Sequence, residues 1–257
     1  MKYVRRDLGE SAENSSGGGR RGLLKEILVL SSLTIGALVV IYLVVGWVTD
    51  FAVARISPET EAEIFEGFMV DHFSELVPEE LEEKWALAES IFEKLQSSPG
   101  VPPLPYRLAY SGEEQANAFA VPGGLIVLTR GLLETLEEEI AIAFVIAHEY
   151  GHFAGRDHLQ RLGRQIGTGT ALLVLTGGGS SIVDSTTQLV DLKYSRDEER
   201  AADRFALQSL DAVYGEREGA ERLFEILEES RGIPAWAYMF TTHPSNLERI
   251  RQIREED

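Results

Sequence analysis

At 257 residues the chain is long enough for one catalytic domain plus accessory segments. It has no cysteine, which excludes disulfide staples, thiolate nucleophiles and cysteine-built metal knots. The formal charge is -18 and uneven: six basic and four acidic residues precede Asp50, leaving -20 on the remainder. A body that acidic repels phosphate backbones, so nucleic acid is not an expected partner.

Residues 1–22 are polar, carry the run Asn14 to Gly19 and lack an apolar period, which predicts a disordered tail. Ile27 to Val48 then contains no charged residue. As a helix rising about 1.5 Å per residue it would extend roughly 33 Å, enough to cross a hydrocarbon core of about 30 Å. The expectation is a single transmembrane anchor over residues 23–49, touching lipid through residues 27–48. Arg20, Arg21 and Lys25 precede it and Asp50 follows, so the positive-inside tendency puts the N-terminus in the cytoplasm and the rest outside an inner cell membrane. A cleaved signal peptide is the competing reading, since Ala52-Val53-Ala54 has the small-x-small form. The apolar stretch is longer than the roughly 7 to 15 residues such a peptide uses.

Residues 50–98 read as a helical lead-in of two amphipathic helices. Pro58 and Pro78 stand at their starts, and Ile64, Phe65, Phe68, Phe73 and Leu76, then Leu81, Trp85, Ala88, Ile91, Phe92 and Leu95, recur at helical spacing. His72 is taken as structural. A proline-rich break at Pro99 to Pro105 opens the catalytic core of residues 99–257, with short strands expected at Tyr106 to Tyr110 and Leu125 to Thr129. A helix beginning at Glu137-Glu138-Glu139 runs to about Gly155. The fold class is therefore α+β and mainly helical, with a small sheet, preceded by one membrane helix.

His148-Glu149-Tyr150-Gly151-His152 is the pattern H-E-x-x-H. On a helix, positions i and i+4 share a face, so two imidazoles can bind one ion, zinc being the expected one, while Glu149 can take a proton from an attacking water. Apolar Phe144 to Ala147 precede the motif, so it should be buried, and a buried unpaired glutamate would be costly. A third ligand is needed. Read literally, His148 to His158 is H-E-x-x-H-x-x-G-x-x-H, with Gly155 at the turn of a metzincin-type protease and His158 as ligand. The rival is Glu199, which shares a helix face with Asp203.

Four segments bear on that choice. Asn117-Ala118-Phe119-Ala120-Val121-Pro122-Gly123-Gly124, the H-E-x-x-H helix, Ser195-Arg196 with Glu199, Ala202 and Asp203, and Thr242-His243-Pro244 followed by Arg249-Ile250 come in this order. Over roughly Ala116 to Ile253 the chain resembles the HtpX, BepA and CAAX-prenyl-endopeptidase family of zinc metalloproteases. The resemblance implies a zincin-like domain with one zinc ion on His148, His152 and Glu199, and Asp203 as a carboxylate orienting a ligand imidazole. It further implies that Asn117, Ala118 and the strand from Gly124 to Thr129 dock an extended substrate, and that His243 lies near the metal. There it could stabilise an oxyanion or fill the fourth zinc position at rest. Met239 is the sole downstream methionine and carries no other metzincin feature.

Ile166 to Val183 is apolar but holds five glycines. One crossing there would separate Glu199 from His148, and the segment is too short for two crossings of roughly 20 residues. It is expected to be a mobile apolar hairpin or flap beside the cleft, or one dipping into the lipid surface, with a plain loop within the core as the alternative. The expected function is membrane-anchored zinc endoproteolysis of polypeptides in envelope protein quality control, with Glu149 as catalytic base. A non-catalytic chaperone or assembly factor is the alternative; processing of prenylated proteins lacks the membrane helices it needs.

Overall fold

A computed structural model describes residues 20–72, 75–176, 194–215 and His243. The predicted tail before residue 20, Phe73, the glycine run at 177–179 and the surroundings of His243, including Met239 and Arg249, lie outside the described residues. The chain divides into two compact units, residues 1–48 and 49–257. The first is formed by helix α1 (Arg20–Val53), whose last turn belongs to the second. Within α1, the most apolar 18-residue window of Gly22–Val53 has a mean hydropathy of 2.6 and is not buried. Leu28, Leu30, Leu33 and Trp47 are exposed, the surface that lipid would cover. The helix outruns the expected 23–49 at both ends.

In the second unit, α2 (Pro58–His72) is capped by the Ser57 hydroxyl, which accepts from the Thr60 amide at 3.2 Å. A 3-10 turn at Glu79–Leu81 leads into α3 (Glu82–Leu95), which buries Ala88, Ile91, Phe92 and Leu95 along one face. Three strands follow: β1 (Arg107–Ser111), β2 (Ala118–Val121) and β3 (Leu125–Thr129). Their order is β1-β3-β2, with β1 parallel and β2 antiparallel to β3. Strand β2 is an addition to the sequence reading, which took Ala118 to Val121 only as part of a docking motif. Its four residues are all buried, so it lacks the alternation that marks a half-exposed strand. Gly123 and Gly124 make the hairpin turn at φ of 93° and 96°, a region costly for residues with a Cβ.

Helix α4 (Arg130–Thr135) is capped by Thr129, and α5 (Glu139–Gly155) runs through the core, buried from Ala141 to Phe153. It ends at Arg156, whose φ of 58° is left-handed, and α6 (Asp157–Thr176) begins at the next residue. Residues 166–176 are therefore helix and not a plain loop, and the rest of the expected hairpin or flap, 177–183, lies outside the described residues. The two glycines within 166–176 are isolated, each costing about 1 kcal/mol against alanine, which a helix of this length tolerates. Helix α7 (Arg196–Val213) opens with a reciprocal capping box between Ser195 and Glu198. One core joins α3, the sheet, α4, α5 and α7, with Ile91, Ile126, Leu132, Phe144 and Leu210 at its centre.

Helices α5 and α7 meet at Gly151, where an added Cβ would lie 2.8 Å from Ala202 Cα and 3.1 Å from its carbonyl oxygen. That approach carries Glu199 to the H-E-x-x-H face. Gly151→Ala must separate the helices, so we expect a loss of about 1–3 kcal/mol in unfolding free energy and weaker metal binding. Denaturant titration and metal titration of the purified variant check both; wild-type values in each would show the contact to be slack.

Candidate metal centre

His148, Glu149 and His152 project from the last two turns of α5, Glu199 and Asp203 from the first turns of α7, and all five are buried. His148, His152, Glu199 and His243 each offer one donor atom, and these four lie within 4.8 Å of one another. The Nε2 atoms of His148 and His152 are 3.1 Å apart, and His243 Nδ1 is 3.2 Å from the first and 3.4 Å from the second. Glu199 closes the figure: Oε1 lies 3.0 Å from His243 Nδ1 and 3.7 Å from His152 Nε2, and Oε2 lies 3.6 Å from His148 Nε2.

Hydrogen-bonding chemistry alone leaves this arrangement unfavourable. The opposite nitrogen of each ligand ring faces a carboxylate: His148 Nδ1 is 3.0 Å from Asp203 Oδ1, and His152 Nδ1 is 2.9 Å from Asp157 Oδ2. His152 Nδ1 donates to Asp157, which turns its Nε2 lone pair inward, and the Asp203 carboxylate beside His148 Nδ1 favours the same tautomer in that ring. Two lone pairs and a carboxylate facing inward in a dry interior call for a cation. Donors each about 2.0–2.1 Å from a tetrahedral ion stand roughly 3.3–3.4 Å apart; the three imidazole nitrogens are 3.1 to 3.4 Å from one another, and the nearer Glu199 oxygen contacts are 3.0 to 3.7 Å. The residues fit a zinc-sized ion, with Asp203 and Asp157 as the outer carboxylates that fix ring orientation.

Glu149 is fully buried, with His243 Nε2 3.6 Å from its Oε1. Burial pushes its carboxyl above the ordinary range, opposed by the His243 and His148 rings and by the nearby Ala120 amide. Tyr194 stacks on His152 with ring centroids 3.6 Å apart and 10° between planes, and the Arg161 guanidinium lies 3.5 Å over the other face of Tyr194. Asp157, Tyr194 and Arg161 were not anticipated. Asp157 reaches back across the α5–α6 break, where a Cβ on Gly155 would come within 2.8 Å of its Oδ1, and no residue spacing announces that.

His158 does not join the cluster. It is buried, with Nε2 2.8 Å from Glu61 Oε1 and Nδ1 3.2 Å from the His152 carbonyl oxygen. Both neighbours are acceptors, so the ring is spent as a donor. The left-handed turn also falls at Arg156, not Gly155. The metzincin-type reading, with His158 as third ligand, is thereby overturned.

The expected docking edge also moves. Strand β3 is central and paired on both sides, so Gly124 to Thr129 presents no open edge. The Gly124 carbonyl accepts from Arg107, and the Asn117 main chain is bonded to Thr129 through both its amide and its carbonyl. Alternation along β2 then turns the main chain of Ala118 and Ala120 to the other side, where the Ala120 amide meets Glu149. The outer edge of β2 therefore faces the metal centre.

A mixed sheet laid against a buried H-E-x-x-H helix, with a glutamate supplied by a second helix, defines a zincin-like metallopeptidase domain. The chain belongs to peptidase family M48, whose model matches residues 82–257. It is 28% identical over 172 residues to the mitochondrial metalloendopeptidase OMA1 of Schizosaccharomyces pombe, covering 64% of this chain and 50% of that protein. It is 28% identical over 163 residues to the metalloprotease YcaL of Escherichia coli, covering 60% and 62%. A putative beta-barrel assembly-enhancing protease of Vibrio cholerae is 25% identical over 166 residues, covering 59% and 34%. The chain thus spans between a third and three-fifths of the length of these relatives.

Proposed function

We propose that the chain is a membrane-anchored, zinc-dependent endopeptidase. The carrying observation is the convergence of buried His148, His152 and Glu199 donor atoms on one point, with an outer carboxylate beside each of the two imidazoles. His148, His152 and Glu199 would hold the ion, which when bound supplies a Lewis acid for the scissile carbonyl and the attacking water. Glu149 takes the proton from that water and passes it to the departing amine, and its raised proton affinity suits both transfers. An extended peptide would lie along Ala118 to Val121, matched by main-chain hydrogen bonds that are blind to side chains, which gives broad specificity.

Residues 1–22 would form a cytoplasmic tail, 23–49 the anchor and 50–257 an extracytoplasmic catalytic domain, in keeping with the apolar α1 and the basic residues before it. Misfolded or misassembled envelope proteins are the proposed substrates, in keeping with a relative named as a putative beta-barrel assembly-enhancing protease. A chaperone on the same fold has no use for a buried carboxylate beside the ion. Casein cleavage by the zinc-loaded protein tests the proposal; absence of cleavage under all metal conditions would leave the chaperone.

His243 occupies the remaining corner of the ligand tetrahedron and approaches Glu149. We assign it to the resting state, where it blocks the position that water must take. His243→Ala is expected to raise basal peptide cleavage several-fold while retaining one zinc per chain. A fall of tenfold or more would instead make His243 a stabiliser of the oxyanion.

A further inference from the structure

Helix α2 carries four glutamates, Glu59, Glu61, Glu63 and Glu66, and three of them are exposed. Glu61 is 2% exposed. Its Oε1 accepts from the Gly123 amide at 2.9 Å and from His158 Nε2 at 2.8 Å, and its Oε2 lies 3.6 Å from Arg156 Nη2. Burial raises its proton affinity, yet the His158 bond and charge, the Gly123 amide and Arg156 outweigh this and hold the carboxyl below its ordinary range. It is therefore an ionised group in a dry site, held from two directions.

Those directions are the two halves of the proposed catalytic apparatus. Gly123 is the turn residue that ends β2, the strand whose outer edge faces Glu149. His158 in turn faces the carbonyl of His152, a proposed metal ligand. We propose that Glu61 is a positioning residue that sets the β2 edge against the metal-bearing end of α5, so that the segment preceding the family match is part of the active apparatus and not a spacer. The proposal rests on the peptidase reading for its kinetic arm only. An ion pair that merely held α2 down would change the folded fraction and nothing else per folded molecule. A residue that sets the edge changes how firmly an extended peptide is held, with little effect on turnover of what is bound.

The test uses the full chain in detergent, with Glu61→Ala and Glu61→Gln, the second of which keeps an oxygen to accept from Gly123. For Glu61→Ala we expect hydrogen exchange across residues 118–124 to rise about tenfold. KM for a peptide long enough to span β2 should also rise about tenfold, with kcat within threefold of wild type and one zinc still bound. Glu61→Gln, which keeps the Gly123 acceptor but loses the charge facing His158 and Arg156, should recover only part of both effects, leaving each about threefold or more above wild type. Wild-type exchange and KM in Glu61→Ala, with only the melting temperature lowered, would overturn the proposal, as would a loss confined to kcat. If Glu61→Ala does not fold, Glu61→Gln decides alone: exchange at least threefold above wild type supports the assignment, and wild-type exchange overturns it. A wild type that cleaves no peptide defeats the peptidase reading and leaves the exchange arm to judge Glu61.

Discussion

Glu149→Gln is expected to lower kcat for casein or a model peptide by roughly a hundred- to ten-thousand-fold, the usual share of a positioned general base, while zinc stays bound at one per chain. Glu149 is fully buried and belongs to no set of metal donors: the four that converge are His148, His152, Glu199 and His243. Its surroundings raise its proton affinity, burial first, which suits a group that must accept a proton and later release it. Glutamine keeps the volume but cannot take up the proton. Loss of activity with retained metal assigns the proton transfer to this carboxylate. Equal activity in variant and wild type would remove the peptidase proposal.

Glu199→Ala is expected to weaken zinc binding by more than about 100-fold, beyond the figure for losing an outer partner of a ligand. Glu199 is fully buried and is the carboxylate among the four converging donors. Without it the remaining donors are neutral rings, and the ion's charge loses its counterpart in a dry site. His158→Gln serves as the control and should keep one zinc per chain, because His158 is bonded to Glu61 and stands apart from the cluster. Competition with a chelator of known affinity measures both variants. The reverse outcome, zinc lost with His158 and kept without Glu199, would restore the ligand set that the structure removes.

The parts of the site that were legible in the sequence were those set by local geometry or by ordered motifs. His148, Glu149 and His152 follow from helical spacing alone. Glu199 and Asp203 were read through the resemblance, because nothing in local spacing links α7 to α5. The sheet was read incompletely: Ala118 to Val121 is buried on both faces and carries two alanines, so neither alternation nor β-branching marked it. With β2 unrecognised, β3 passed for an edge. Over 166–176 no local signal chose between helix and loop, and the helix continues from Asp157. Asp157 and Glu61 were hidden for a further reason. One acts across a helix break and the other looks like its solvated neighbours, and only tertiary contact tells them apart.

The whole account depends on one ion at one point. Crystals of the zinc-loaded protein, measured on both sides of the zinc absorption edge, test it most directly. We predict a single anomalous peak within about 2.2 Å of His148 Nε2, His152 Nε2 and a Glu199 carboxylate oxygen. No peak among these side chains, or a peak elsewhere with the three donors left facing one another, would contradict it.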